Sequence, residues 1–370
     1  MALTQREEEI LACIEQNPMI SQQELASMLG ITRSGTAAHI FNLMRKGYIQ
    51  GKGYIVSPAQ YVAVVGGVNI DIHGMASEHV VGLSSNVGHL VTSVGGIARN
   101  VAYNLTSFGI KNYLVALYGD DANGKLFKED ARHHNIDITR SLQVHDKASQ
   151  YLSVVSASGE QIVALDDMGI SSGITPQFLQ QRLGLFTQAA ITVLDTSLSQ
   201  EAIAWLCEHV HKPIYARVVS VNKAQRLVSV LDRIDTLVLA ATEAQLVSGI
   251  DVRSVDDAVQ CVRVLCEAGV RTVALLLNAS TAVFAQEHEV WLARIPEELL
   301  GKHLSNGAPT AILSTLAWQY IEQEHTFQEI IGMAMASASL VLDSVEATCT
   351  DMTAEQVERR ALSIEVQRVQ

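Results

Sequence analysis

Apolar residues recur at helical spacing three times within the first 46 positions, and then the pattern changes character. Ile10, Leu11 and Ile14 mark one helix, Leu25, Met28 and Leu29 a second, and Ala38, Ile40, Leu43 and Met44 a third. Start and stop signals frame each. Thr4 with Glu7 and Ser21 with Glu24 are capping-box pairs, Thr32 caps the third helix, Asn17-Pro18 breaks the first, and Gly30 and Gly47 follow the ends of the other two. Residues 48–56, YIQGKGYIV, alternate around Gly51 and Gly53 as a tight hairpin does. From residue 61 short buried-strand runs take over, at 61–68, 113–119, 191–195, 213–216, 236–240 and 272–277. Helical periods fill the gaps, at 97–108, 199–210, 255–268 and 307–322. Strands alternating with helices predict a parallel sheet covered on both faces. Two stretches, 88–94 and 150–165, read as antiparallel strands of a small lid sheet. The chain is expected to divide into a unit over 1–57 and an α/β domain over 61–362.

Three short helices and a hairpin make a winged helix-turn-helix, whose third helix enters the major groove with its N-terminal residues at base edges. Arg33, Ser34, His39 and Asn42 are the polar candidates for that face, and Arg45, Lys46 and Lys52 for phosphates. Charge refines this reading. The formal net charge of −13 excludes a protein that binds nucleic acid with its whole surface. Residues 1–57, however, hold five basic and five acidic residues, so the entire excess falls on the larger domain. From Leu25 to Val56 there are four positive charges and no negative one. Such segregation is the footprint of a groove reader. Four charges in one copy bind weakly, so a homodimer is expected. A three-helix interaction module that never touches DNA is the other reading of the same pattern.

Composition narrows the remaining classes. Hydrophobic residues make up 48% of 370, ample for a large core, and no run of 18 uncharged apolar residues predicts a membrane span. The start MALTQREEEI is acidic and helical, unlike a signal peptide, so a cytoplasmic protein is expected. The five cysteines are scattered without a CxxC, which fits reduced thiols and no metal site. His133-His134 reads as a solvated helix end, and Trp205, Trp291 and Trp318 as core or interface residues. The final stretch, from Thr353, reads as a surface helix and tail.

In a parallel α/β sheet, ligands bind beyond the C-terminal strand ends. Gly66-Gly67-Val68-Asn69-Ile70-Asp71 follows the first strand there, and Asp71 is suited to accept hydrogen bonds from sugar hydroxyls. Gly95-Gly96 opens a helix with Asn100 one turn in, where free backbone amides can hold a polar ligand. Gly119-Asp120-Asp121-Ala122-Asn123-Gly124 follows the second strand. The set G-G-x-N-x-D, G-G-x-x-x-N and G-D-D-x-x-G resembles the ribokinase-like (PfkB) carbohydrate kinases over about 61–360, near the pseudouridine and nucleoside kinases. The resemblance implies a Rossmann-like α/β/α sandwich with a small β lid. It also implies a sugar or nucleoside ligand at Asn69, Asp71, Gly95, Gly96 and Asn100.

The phosphotransfer end departs from that family. Its late D-T-x-G-A-G-D signature supplies anion-hole amides and a catalytic aspartate; here residues 304–310 read L-S-N-G-A-P-T. Gly307 and Ala308 remain, Pro309 stands at a glycine position and Thr310 at the base position. Losing a general base costs about 10²–10⁴-fold and losing an anion-hole donor about 10²–10³-fold, not multiplicatively. Ser305 or Asn306 can still cap the helix, with proline in its first turn. The family's N-x-x-E reads Ala240-Ala241-Thr242-Glu243, so only Glu243 survives; its T-L-G-x-x-G loop reads Leu276 to Thr281 without either glycine; and Arg217 stands where an aspartate is usual. The expectation is a DNA-binding transcriptional regulator whose sensor is a catalytically impaired kinase domain, a pseudokinase. The alternative is a working kinase using ATP and Mg²⁺, with Asp120, Asp121, Asp166 or Asp167 as available carboxylates, although the first two also suit a loop or helix cap. A ligand-independent partner-binding role is a third reading.

Overall fold

The computed structural model describes residues 3–49, 60–157, 161–300, 307–344, 346–350 and 352–369. Contacts divide the chain into two units, 1–60 and 61–370. In the first, α1 (Gln5–Gln16), α2 (Gln22–Met28) and α3 (Arg33–Arg45) each start at an expected cap. Both capping boxes form, and Gly30 and Gly47 take the positive φ that favours glycine there. Ile10, Ile14, Ile20, Leu25, Ile40, Leu43 and Ile49 make the core.

Three expected inward residues point elsewhere. On α3 the buried stripe is Thr36, Ile40 and Leu43, at i, i+4 and i+7, which leaves Ala38 and Met44 outside. Met28 is likewise exposed, because Leu25 and Ala26 supply the short α2 with its inner face. The hairpin falls almost wholly on residues 50–59, outside the described residues, as does Lys52.

The strands of the larger unit are β1 (Val62–Val65), β2 (Asn69–Ala76), β3 (Gly88–Gly95), β4 (Asn112–Val115), β5 (Leu117–Tyr118), β6 (Leu142–Gln143), β7 (Gln150–Val155) and β8 (Gln161–Asp167). They continue with β9 (Ile191–Asp195), β10 (Ile214–Arg217), β11 (Thr236–Ala240), β12 (Thr272–Leu276), β13 (Thr281–Gln286), β14 (Glu289–Arg294) and β15 (Glu365–Val369). A nine-stranded sheet runs in the order β15-β14-β13-β12-β11-β10-β9-β1-β4. From β4 to β12 every pair is parallel, and the last three strands are antiparallel. β1, β9 and β12 are buried throughout, as strands covered on both faces must be, and a separate apolar cluster lies on each face. On one face the fully buried Trp318 stacks on Phe108. No helix among the described residues is long and apolar enough to cross a membrane.

The second sheet, β3-β2-β7-β8, is the lid. Two expectations change here. Residues 69–71 are not a loop but the start of β2, which leaves the main sheet directly for the lid. The lid is also not wholly antiparallel, because β2 and β7 run parallel. The C-terminal stretch corrects a third: after helix Ala354–Ala361 it forms β15, paired antiparallel with β14, rather than a tail. Ile364 and Val366 alternate with Glu365 and Gln367, a strand signal that the preceding charged helix obscured.

Candidate ligand site

Where β1 ends, side chains and backbone approach too closely for any residue but glycine. A Cβ on Gly66 would lie 2.1 Å from Asp195 Oδ2, the oxygen that accepts Gly67 N–H at 3.1 Å. The other Asp195 oxygen accepts the Ser197 backbone N–H at 2.7 Å and its hydroxyl. Asp195 is fully enclosed, and burial pushes its carboxyl up against the pull of those donors. It is a clasp on the glycine turn.

The same closeness recurs at the lid. A Cβ on Gly95 would sit 2.0 Å from Asp71 Oδ2, and Asn69 Nδ2 donates to Asp71 Oδ1 at 2.6 Å. Gly96, at φ +98°, would put a Cβ 2.5 Å from Gly67 O. The start of helix Ile97–Ser107 is therefore pressed onto the first glycine turn, and Asn69, Asp71, Gly95 and Gly96 come together as expected from their motifs. Burial raises the Asp71 carboxyl, with Asn69 opposing. Asn100, 5% exposed, lies one turn along, its N–H donating to Gly96 O. Arg99 Nη1 donates to Asn100 Oδ1 at 3.1 Å, so the amide's oxygen is engaged and its hydrogens are the groups it has left to donate. Arg99 is itself fixed by a two-point contact with Asp130, at 2.9 and 2.6 Å.

Register across the lid sets Asp71 and Asp166 among groups that sequence reasoning missed: Ser93, Tyr151, His73, Ser153 and Lys223. Ser93, Asp71, Tyr151 and Asp166 stand side by side on one face. One step along, His73 Nδ1 and Ser153 Oγ are 2.6 Å apart. Asp166 pairs with Lys223 at 2.5 Å, joining β8 to helix Val221–Ala224. Alternate polar residues at 71 and 73 and at 151 and 153 are the trace of this face in the sequence, but only pairing shows that they meet.

The other end contains no acid at the helix start. Helix Ala308–Glu322 has Gly307 as its cap residue, Pro309 in its first turn and a buried Thr310, with no acidic residue in that turn. A Cβ on Gly307 would meet Ala347 O at 2.0 Å. Ser305 and Asn306 lie outside the described residues. Asp121 caps helix Ala122–His133, accepting Gly124 N–H at 2.9 Å, while Asp120 pairs with His145. Asn278 Oδ1 accepts the N–H groups of Ser280 and Thr281, each at 2.9 Å, closing that loop on itself.

Glu243 is committed to Arg217, Nη1 to Oε2 at 2.9 Å, with both side chains buried. Burial raises the Glu243 carboxyl and the guanidinium opposes that rise. The Mg²⁺ that the resemblance implies does not fit this arrangement. Among the described residues no group of three or more His, Cys, Asp or Glu could hold a metal ion.

In the smaller unit, Arg33, Ser34 and Arg45 are exposed on α3, and His39 and Asn42 are half-buried. Lys46 Nζ lies 2.9 Å from Glu7 Oε2, within the module. Phe41, 65% exposed on the same helix, was not anticipated, since an apolar residue inside a helical pattern reads as core.

Comparison with known proteins agrees with both halves. The family model of the pfkB family carbohydrate kinases matches residues 59–351, and that of a winged helix-turn-helix DNA-binding domain matches residues 3–50. A protein of Escherichia coli (strain K12) named "Uncharacterized sugar kinase YeiI" is 32% identical over 341 residues, 91% of this chain and 93% of its own. The pseudouridine kinase of the same organism is 27% identical over 301 residues, 80% of this chain and 95% of its own. Among solved structures, a carbohydrate kinase from Agrobacterium tumefaciens matches with a TM-score of 0.71 at 24% identity, over 84% of this chain and all of the other. Arabidopsis thaliana ribokinase complexed with ribose and ATP matches with a TM-score of 0.70 at 19% identity, over 82% and 99%. The chain belongs to the pfkB family of carbohydrate kinases, with a ribokinase-like fold preceded by a winged helix-turn-helix DNA-binding domain.

Proposed function

We propose that the protein is a DNA-binding transcriptional regulator whose kinase-family domain senses a sugar or nucleoside and has lost most of its phosphotransfer capacity. The observation that carries this is the contrast within one domain. Asp71 is held between Asn69 and Gly95 as a sugar-binding carboxylate requires, while the helix start at Gly307 bears Pro309 and Thr310 and no acid. The ligand contacts Asn69, Asp71, Gly95, Gly96 and Asn100 beneath the lid. Arg33, Ser34, His39 and Asn42 face bases, and Arg45 faces phosphate. The unit boundary near residue 60 separates reader from sensor.

Homodimerisation is part of this proposal, and the outer lid face supports it. Leu90, Gly74, Val154 and Val163 form one row there and Thr92, Ile72, Leu152 and Leu165 another; Leu90, Val163 and Leu165 are exposed. A ligand that binds closed and open lids with different affinity then alters operator binding. The relatives named as kinases favour a second reading, an active sugar or nucleoside kinase using ATP. Both are tested on the purified full-length chain. Operator selection from a random DNA pool, with a panel of nucleosides and pentoses, is expected to yield a site whose affinity one ligand changes. ATP consumption over the same panel is expected to stay near background. No DNA site, or turnover at ordinary kinase rates, overturns the proposal.

A further inference from the structure

Arg217 closes β10 and is 5% exposed. In register it lies beside Asp195 of β9, and its Nη1 bonds Glu243. Glu243 takes the Ala240 N–H at 2.8 Å on the same oxygen, so its carboxylate is turned back onto the protein from two directions. A guanidinium bonded to one buried carboxylate thus also feels a second, that of Asp195 on the neighbouring strand, on which Lys223 is the other cation acting. Arginine keeps its charge at every pH the fold survives. A divalent cation placed here would need these carboxylate oxygens and would meet that fixed charge. Arg217 Nε is also buried without an acceptor among the described residues, so the group is not a saturated structural ion pair.

We propose that Arg217 is the resident cation of this end of the domain, holding the place of a divalent metal and keeping Glu243 from binding one. Metal selection is then decided by one side chain. The inference goes beyond the regulatory reading and does not rest on it, because it concerns neither DNA nor the sugar.

Mn²⁺ titration of the full-length protein, with free Mn²⁺ read by electron paramagnetic resonance, tests it in the absence of any ligand. The natural chain is expected to leave Mn²⁺ free up to about 1 mM, the weak limit of carboxylate sites. Arg217→Asp, which gathers a third carboxylate beside Asp195 and Glu243, is expected to bind one Mn²⁺ at least about tenfold more tightly than the natural chain, and adding Glu243→Gln should abolish that gain. If Arg217→Asp does not fold, Arg217→Asn serves instead, and Mn²⁺ should raise its melting temperature but not that of the natural chain. Tight Mn²⁺ binding by the natural chain that Glu243→Gln removes overturns the proposal. So does a folded variant that gains no Mn²⁺ response. An absence of DNA or sugar binding leaves this result standing, so the two proposals fail separately.

Discussion

Asn104 and Ser314 meet side chain to side chain, Nδ2 to Oγ at 3.2 Å, in the buried seam between helices Ile97–Ser107 and Ala308–Glu322. Each is four residues beyond a candidate site position, Asn100 on one helix and Thr310 on the other, and Ser314 Oγ also donates to Thr310 O at 2.8 Å. The seam ties the helix that carries Asn100 to the helix that carries Pro309 and Thr310. Ser314→Ala leaves a buried amide without its acceptor and should destabilise the domain by about 1–3 kcal/mol. Thermal denaturation reads this as a fall of several degrees; an unchanged midpoint would show that the seam contributes nothing.

Asp71 carries the sharpest prediction at the ligand end. Its carboxyl is raised by burial, so the ligand-free fold favours the protonated form. That contribution to stability is complete below the ordinary value of 3.8 and is lost as pH rises through the folded value. At neutral pH Asp71→Asn should therefore stabilise the empty domain. The same change removes charged hydrogen bonds to sugar hydroxyls and should weaken ligand binding about 10- to 100-fold. Opposite signs in melting temperature and in calorimetric affinity are the expected result. Two effects of the same sign would mean that Asp71 does not face the ligand.

The proposed loss of phosphotransfer is tested at the helix start. Pro309→Gly together with Thr310→Asp restores an amide donor and a carboxylate in the first turn, and should raise any ATP-dependent phosphorylation of a bound sugar at least about 100-fold. Product detection by mass spectrometry checks it. No gain from a folded double variant would place the defect elsewhere in the domain.

Leu165, 61% exposed on the outer lid face, tests the proposed homodimer. Leu165→Lys should give monomers in analytical ultracentrifugation. It should also weaken operator binding by at least about tenfold, since a single reader makes few phosphate contacts. Monomers that bind DNA as tightly as the natural protein would separate the two functions.

Acid should act on the smaller unit through Glu7. Its carboxyl is held down to about 2 by Lys46 and by the Thr4 cap, against an ordinary 4.5. A depressed value contributes stability above pH 4.5 that is lost as pH falls towards 2. Glu7→Gln should flatten this dependence, monitored as helix signal against pH. A slope that survives the substitution would assign acid sensitivity to another group.

The motifs that announced this fold are those whose chemistry is local. Thr4 and Glu7 cap each other three residues apart, and Gly95-Gly96 opens the helix that directly follows it, so their meaning survives in a string of letters. The departures at Pro309 and Thr310 were equally legible, because an absent amide or acid needs no geometry to be recognised. What stayed hidden depends on pairing over long separations. Tyr151 joins Asp71 only through β7 beside β2, and Lys223 reaches Asp166 across 57 positions. Arg217 read as a substitution; its hold on Glu243, in the helix that directly follows β11, depends on β10 lying beside β11. Met44 misled because three apolar residues at near-helical spacing admit more than one inward face.

The placement of β15 bears on how the domain is made. β14 ends at Arg294, and among the described residues the strand that pairs with its outer edge is residues 365–369. While the intervening segment is being synthesised, a row of unpaired amides and carbonyls stands open beside eight finished strands. A chain cut before residue 365 is expected to present that edge, and strand-to-strand association between copies is the consequence.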